Sequence, residues 1–221
     1  MQQRLVAITP PTGPVHPGTL ATWREAGASP DNLLIVLRSP GCEPGELMTG
    51  RLREFAEQAR DLGYLIVLSV APPGLPIACK EVARHGLAGV QLKRDPSADK
   101  IVDARKQLID SGVRRPIVGC SHHGQPQTGH DGWRVADYIC AAPVFTPTTP
   151  QAGVQKTAAG LEMLRGWVAT GARVFALGGV TGTTAPACMS AGAWGLAGIG
   201  AFFGESSRVS QNVRHLLSAL H

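Results

Sequence analysis

Nothing in this chain reads as a membrane anchor or a secreted scaffold. No window approaches the roughly 18 uninterrupted apolar residues that a spanning helix needs, and Met1-Gln2-Gln3-Arg4 is not followed by the long apolar run of a secretory leader. The five cysteines, Cys42, Cys79, Cys120, Cys140 and Cys188, are odd in number and form no CxxC pair. They read as reduced, buried thiols rather than a disulfide framework. A soluble, cytoplasmic protein is the expectation.

Aromatic residues are scarce at 5%, and charged residues make up only 17%. Lys and Arg (21) exceed Asp and Glu (16), giving a net charge of +5, but they are dispersed and form no basic run. With few rings to stack bases, that balance speaks against a nucleic-acid partner and favours a small anionic ligand. A hydrophobic share of 43% excludes a disordered chain, and 27 Gly and 17 Pro scattered throughout exclude a coiled coil.

What the chain does have is repetition. Eight strand-like runs, Leu5–Thr9, Leu33–Arg38, Tyr64–Val70, Gly89–Lys93, Pro116–Ser121, Asp137–Phe145, Arg173–Gly179 and Gly195–Phe202, alternate with longer amphipathic stretches, without a linker or a break in composition. One such stretch, Leu47–Leu62, places Leu47, Leu52, Phe55, Ala56, Ala59 and Leu62 near one helical face. Gly63, Gly86, Gly112, Gly171 and Gly192 follow the helical stretches as stop signals. Repeated strand–helix–strand units force parallel strands. The expected architecture is one α/β domain over residues 1–221, a (β/α)8 TIM barrel; an open doubly wound sheet would produce a similar string.

In such a barrel, chemistry belongs to the strand C-termini and the loops after them. The seventh and eighth runs end in Leu177-Gly178-Gly179 and Gly198-Ile199-Gly200-Ala201, where bare amides at the start of a following helix would cradle a phosphate. The fifth ends in Gly119-Cys120-Ser121-His122-His123. Alternation puts Ser121 and His123 on one face and Cys120 and His122 on the other, so His123 is the candidate acid/base if Ser121 faces the barrel mouth. Metal binding by His122, His123 and His130 is disfavoured, because adjacent histidines on alternating faces do not readily converge. After the sixth run, Thr148, Thr149 and Lys156 lie in a long loop suited to embracing an anion, and Arg38 and Lys93 end otherwise apolar runs as candidate cations for a phosphate or carboxylate.

The order of these motifs resembles the thiamine-phosphate synthase/TenI family. The pieces are Gly89-Val90-Gln91-Leu92, Gly119-Cys120-Ser121-His122-His123, Ala136-Asp137-Tyr138-Ile139 with Pro143-Val144-Phe145, Gly178-Gly179-Val180 and Ala191-Gly192-Ala193-Trp194-Gly195. The resemblance implies a (β/α)8 barrel that commonly dimerises and binds a phosphorylated thiazole, with Gly178, Gly179, Gly200 and Ala201 as its phosphate seat. Members of the family either join a pyrimidine pyrophosphate to a thiazole phosphate with magnesium, or isomerise a thiazole carboxylate phosphate by proton transfer.

Several synthase features are missing. Of a Gln-x-Arg-x-Lys pattern only Arg38 remains in Val36-Leu37-Arg38-Ser39-Pro40. The lysine of a Thr-x-Thr-Lys pattern is replaced by Pro150, leaving Lys156 as a distant substitute, and the Asn and Asp expected after the third strand are absent from Leu68-Ser69-Val70-Ala71-Pro72-Pro73. Asp95, the expected magnesium ligand, is followed by Pro96. Expelling pyrophosphate depends on such charges. The expectation is therefore a cofactor-free thiazole tautomerase with His123 as acid/base. The alternatives are an atypical synthase using Asp95, Lys156 and magnesium, and an inactive phosphate-ligand-binding barrel.

Overall fold

Short runs of Val, Ile and Leu flanked by glycine build eight parallel strands: β1 Leu5–Ile8, β2 Leu33–Leu37, β3 Leu65–Val70, β4 Gly89–Leu92, β5 Ile117–His123, β6 Tyr138–Ala142, β7 Val174–Ala176 and β8 Gly195–Gly198. Each pairs with the next in sequence, and β8 pairs back to β1, so the sheet is a closed barrel and not an open one. The computed structural model describes residues 1–10, 15–38, 41, 44–127, 131–147 and 157–221.

The α-helices are α1 Thr19–Glu25, α2 Pro44–Leu47, α3 Gly50–Asp61, α4 Leu75–Arg84, α5 Ala98–Asp110, α6 Gly160–Val168, α7 Ala185–Ser190 and α8 Ser206–Ser218. Among the described residues the β5–β6 crossover carries a 3-10 turn, Asp131–Arg134, in place of an α-helix. The single helix expected over Leu47–Leu62 is two, because Gly50 takes φ +51 and Thr49 is extended, which breaks the helix after Leu47. Gly63, Gly86, Gly112, Gly171 and Gly192 all have positive φ after their helices, the backbone that glycine adopts without cost.

Period-two alternation divides the core in two. Val6, Ile8, Leu34, Val36, Val67, Tyr138, Cys140, Phe175 and Ala197 fill the barrel, while Leu5, Ala7, Leu33, Ile35, Cys120 and Ile139 pack outward against the helices. Two large rings fit inside because their neighbours are glycines. A Cβ on Gly119 would lie 2.2 Å from the Tyr138 ring, and one on Gly195 would lie 2.7 Å from Phe175. Cys79, Cys120, Cys140 and Cys188 are buried free thiols, as their apolar surroundings suggest; Cys42 lies outside the described residues. Among those residues no helix is long and apolar enough to cross a membrane.

Candidate active site

A cavity of about 610 Å³ opens at the C-terminal ends of the strands. It gathers Arg38, Lys93, Ser121, His123, Gly178, Gly179, Gly200 and Ala201 from five strand ends into one wall and floor, with Arg94, Thr181, Arg208 and Asn212 at its margin. Thr148, Thr149 and Lys156 lie outside the described residues, as does His130.

The glycine floor has two physical origins. Gly178 and Gly179 take φ +93 and +63, and a Cβ on either would come within 2.7 Å of the segment after β6, at Pro143 or at the Thr146 carbonyl. Close packing of β7 on that segment therefore demands both glycines. Once they are there, the backbone is uncovered: among the described residues the N–H groups of Gly178, Gly179, Gly200 and Ala201 have no hydrogen-bond acceptor. Bare amides of this kind form an anion seat. The expectation that a following helix would lend its own first amides is corrected for α8, which the Glu205 carboxylate caps by accepting from the Ser207 and Arg208 N–H groups; among the described residues no side chain caps α7.

Cations line the wall above this floor. Burial lowers the pKa of Arg38; burial, then the neighbouring charges of Arg38 and Arg94, lowers that of Lys93. No described acid pairs with Arg38, Lys93, Arg94 or Arg208 within 4 Å, so a bound anion would be their counterion.

The histidines depart from the sequence reading in one respect. They do lie on opposite faces of β5, yet both reach the same carboxylate. After β4 the backbone enters the left-handed region at Arg94 (φ +67) and Asp95 (φ +49), a conformation an aspartate tolerates better than most residues. That turn lays Asp95 against the edge of β5. Its N–H donates to the Ser121 carbonyl at 3.2 Å, and its Oδ1 accepts from the His123 N–H at 2.8 Å. Oδ1 also lies 3.2 Å from His122 Nδ1, off-line for a hydrogen bond, and Oδ2 lies 3.5 Å from His123 Nδ1.

Burial pushes the Asp95 carboxyl up, but the two imidazoles and the His123 N–H outweigh it and hold the group well below the usual carboxylate range. His122 is fully buried, its ring tilted 38° against Trp167 with centroids 4.5 Å apart and its Nε2 3.4 Å from Cys120 Sγ. Trp167 in turn donates to the Gly124 carbonyl at 2.8 Å, which pins the end of β5. His123, 42% exposed, stands on the cavity wall with Nδ1 toward Asp95 and Nε2 on the far side of the ring.

Sequence reasoning missed four contributors. Gln91 reaches Ser121 through a hydrogen bond of 2.8 Å and receives one from Tyr138 at 2.7 Å. A lone polar residue in Gly89-Val90-Gln91-Leu92, at an inward position by alternation, was the available signal. Arg208 and Asn212, four apart on α8, share a face toward the cavity, and Arg94 adjoins Lys93.

Fold and site together define a (β/α)8 barrel with a histidine–carboxylate pair and a floor of bare glycine amides at its mouth. Residues 79–202 match the model of the family described as thiamine monophosphate synthase. A curated relative from Mycolicibacterium smegmatis, named thiamine-phosphate synthase, is 31% identical over 182 residues, which cover 80% of this chain and 75% of the relative. The chain belongs to the thiamine-phosphate synthase/TenI family. Among solved structures, a thiamine phosphate pyrophosphorylase from Pyrococcus furiosus superposes with a TM-score of 0.64 at 20% identity, covering 99% of this chain and 96% of that one. A KGPDC from Streptococcus mutans has a TM-score of 0.65 at 15% identity, covering 100% and 98%; at these identities both share the fold.

Proposed function

We propose that the chain is a thiazole tautomerase that takes a thiazole carboxylate phosphate and moves one proton between a ring carbon and the exocyclic position. The observation that carries this reading is the Asp95 carboxylate held against the imidazole of a cavity-lining histidine, His123. Asp95 orients the ring and favours the proton on Nδ1. Nε2 removes the proton from one carbon and returns it to the other, so the reaction consumes no other reactant. The bare amides of Gly178, Gly179, Gly200 and Ala201 receive the phosphate. Arg38 and Lys93 face the carboxylate.

Magnesium fits these residues poorly. It needs a carboxylate with lone pairs to spare in an octahedral shell, whereas both oxygens of Asp95 already face imidazole nitrogens and the next residue is Pro96. Among the described residues no three His, Cys, Asp or Glu side chains group as metal ligands. The second reading, synthesis of thiamine phosphate from a pyrimidine pyrophosphate and a thiazole phosphate, is favoured by the name of the Mycolicibacterium smegmatis relative.

One experiment separates the two. The purified protein is incubated with thiazole carboxylate phosphate in deuterated water, and in parallel with both synthase substrates and magnesium. Deuterium incorporation with isomerisation in the first arm is the expected result. Thiamine phosphate in the second arm with no isomerisation in the first establishes the synthase reading, and binding without turnover in both establishes an inactive barrel.

A further inference from the structure

Tyr138, Gln91 and Ser121 stand on β6, β4 and β5, in one connected row across the upper barrel. Gln91 is level with Gly119, and Gly119 is level with Tyr138. Because Gly119 has no side chain, the Tyr138 ring crosses the space above it and brings its hydroxyl to Gln91 Oε1 at 2.7 Å. Gln91 Nε2 then lies 2.8 Å from Ser121 Oγ. All three are inward-facing side chains, and Ser121 and Gln91 line the cavity.

The direction of this chain follows from its buried end. Tyr138 is fully buried, and burial raises its pKa well above 10, so the phenol keeps its proton and must donate it. Among the described residues, Gln91 Oε1 is the acceptor in reach. Were the amide flipped, a fully buried O–H would lose its partner, which the buried site strongly disfavours. The amide is therefore fixed with its NH₂ toward Ser121, and Ser121 Oγ accepts. No described residue accepts the Ser121 proton in return. That proton is left for the cavity.

We propose that Ser121 is a hydrogen-bond donor fixed on the cavity lining, and that Gln91 and Tyr138 are the positioning residues that set its polarity. The site thus selects a ligand that presents an acceptor there: a carboxylate or phosphate oxygen, a carbonyl, or an unprotonated ring nitrogen. A ligand that brings only an N–H or O–H to that point leaves the Ser121 proton without an acceptor and is disfavoured. This polarity is a property of the barrel and holds for whichever reaction the site performs.

Neutron diffraction on unliganded crystals exchanged into D₂O tests it directly. The expected map places deuterium on Gln91 Nε2 toward Ser121 and the Ser121 deuteron toward the cavity. A Ser121 deuteron on the line to Gln91 overturns the proposal. A double-mutant cycle reads the consequence, with thiazole carboxylate phosphate as the probe and its dissociation constant as the signal; this arm alone rests on the ligand proposed above. Gln91→Met is expected to weaken binding about fivefold in the parent and by less than about twofold in Ser121→Ala, because its effect passes through the hydroxyl. Equal losses in both backgrounds mean a merely structural role and overturn the positioning assignment. If Gln91→Met alone strands the Tyr138 hydroxyl and fails to fold, the pair Gln91→Met/Tyr138→Phe takes its place in the cycle. If the parent does not bind thiazole carboxylate phosphate, the proposed ligand falls and the neutron map still decides the polarity.

Discussion

His122 and His123 are chemically identical neighbours that reach one carboxylate from opposite faces of the same strand. His122 is sealed between β5 and α6, with Trp167 on its ring and Cys120 at its Nε2. His123 shares the carboxylate but stands on the cavity wall, 42% exposed. The difference is one step of a two-residue period. It teaches that a sealed imidazole and a cavity-lining one need no difference in residue type, only in which side of the sheet they occupy. Asp95 joins the two sides and couples the packing of one imidazole to the orientation of the other.

The largest expected break in that comparison is His123→Ala. Turnover of the thiazole carboxylate phosphate should fall by about 10²–10⁴, with the melting temperature nearly unchanged, because little apolar packing is lost at an exposed ring. His122→Ala should do the reverse. It empties a fully buried site under Trp167 and leaves the Asp95 charge half-supported, at a cost of about 2–4 kcal/mol in unfolding free energy. Urea unfolding and a turnover assay on both variants check the contrast. Equal loss of stability in the two would dissolve it.

Much of this arrangement could be read from residue order. The eight strands announced themselves as β-branched and leucine runs, and the positive-φ glycines after the helices as stops. That Ser121 and His123 share a face followed from alternation; that this face lines the cavity did not. Closure of the sheet did not, because an open doubly wound sheet has the same local string and only the β8–β1 pairing distinguishes them. β5 runs two residues beyond the expected end because His122 and His123 continue to pair with Ala141 and Ala142 of β6. The role of Asp95 was hidden for a different reason. Its place beside β5 depends on two consecutive left-handed residues, Arg94 and Asp95, neither of them glycine. The Gln91–Tyr138 bond spans 47 residues and has no local signature.

Asp95→Asn sharpens the comparison with a smaller effect, since it loosens both histidines while keeping the side-chain shape. Turnover should fall about tenfold through the less ordered His123 ring. The stability effect carries a sign that can be worked out. The folded-state carboxyl sits below its unfolded value of about 3.9. As pH falls, the unfolded chain therefore binds its proton first. The contribution of Asp95 is complete above about pH 4 and is lost as pH descends toward the lowered folded-state value. The stability gap between parent and Asp95→Asn should accordingly be wide at pH 7 and narrower at pH 3, measured by urea midpoints at both. A gap of the same width at each pH would mean that the carboxylate charge contributes nothing to holding the two imidazoles, and that the coupling between the two faces of β5 is carried by packing alone.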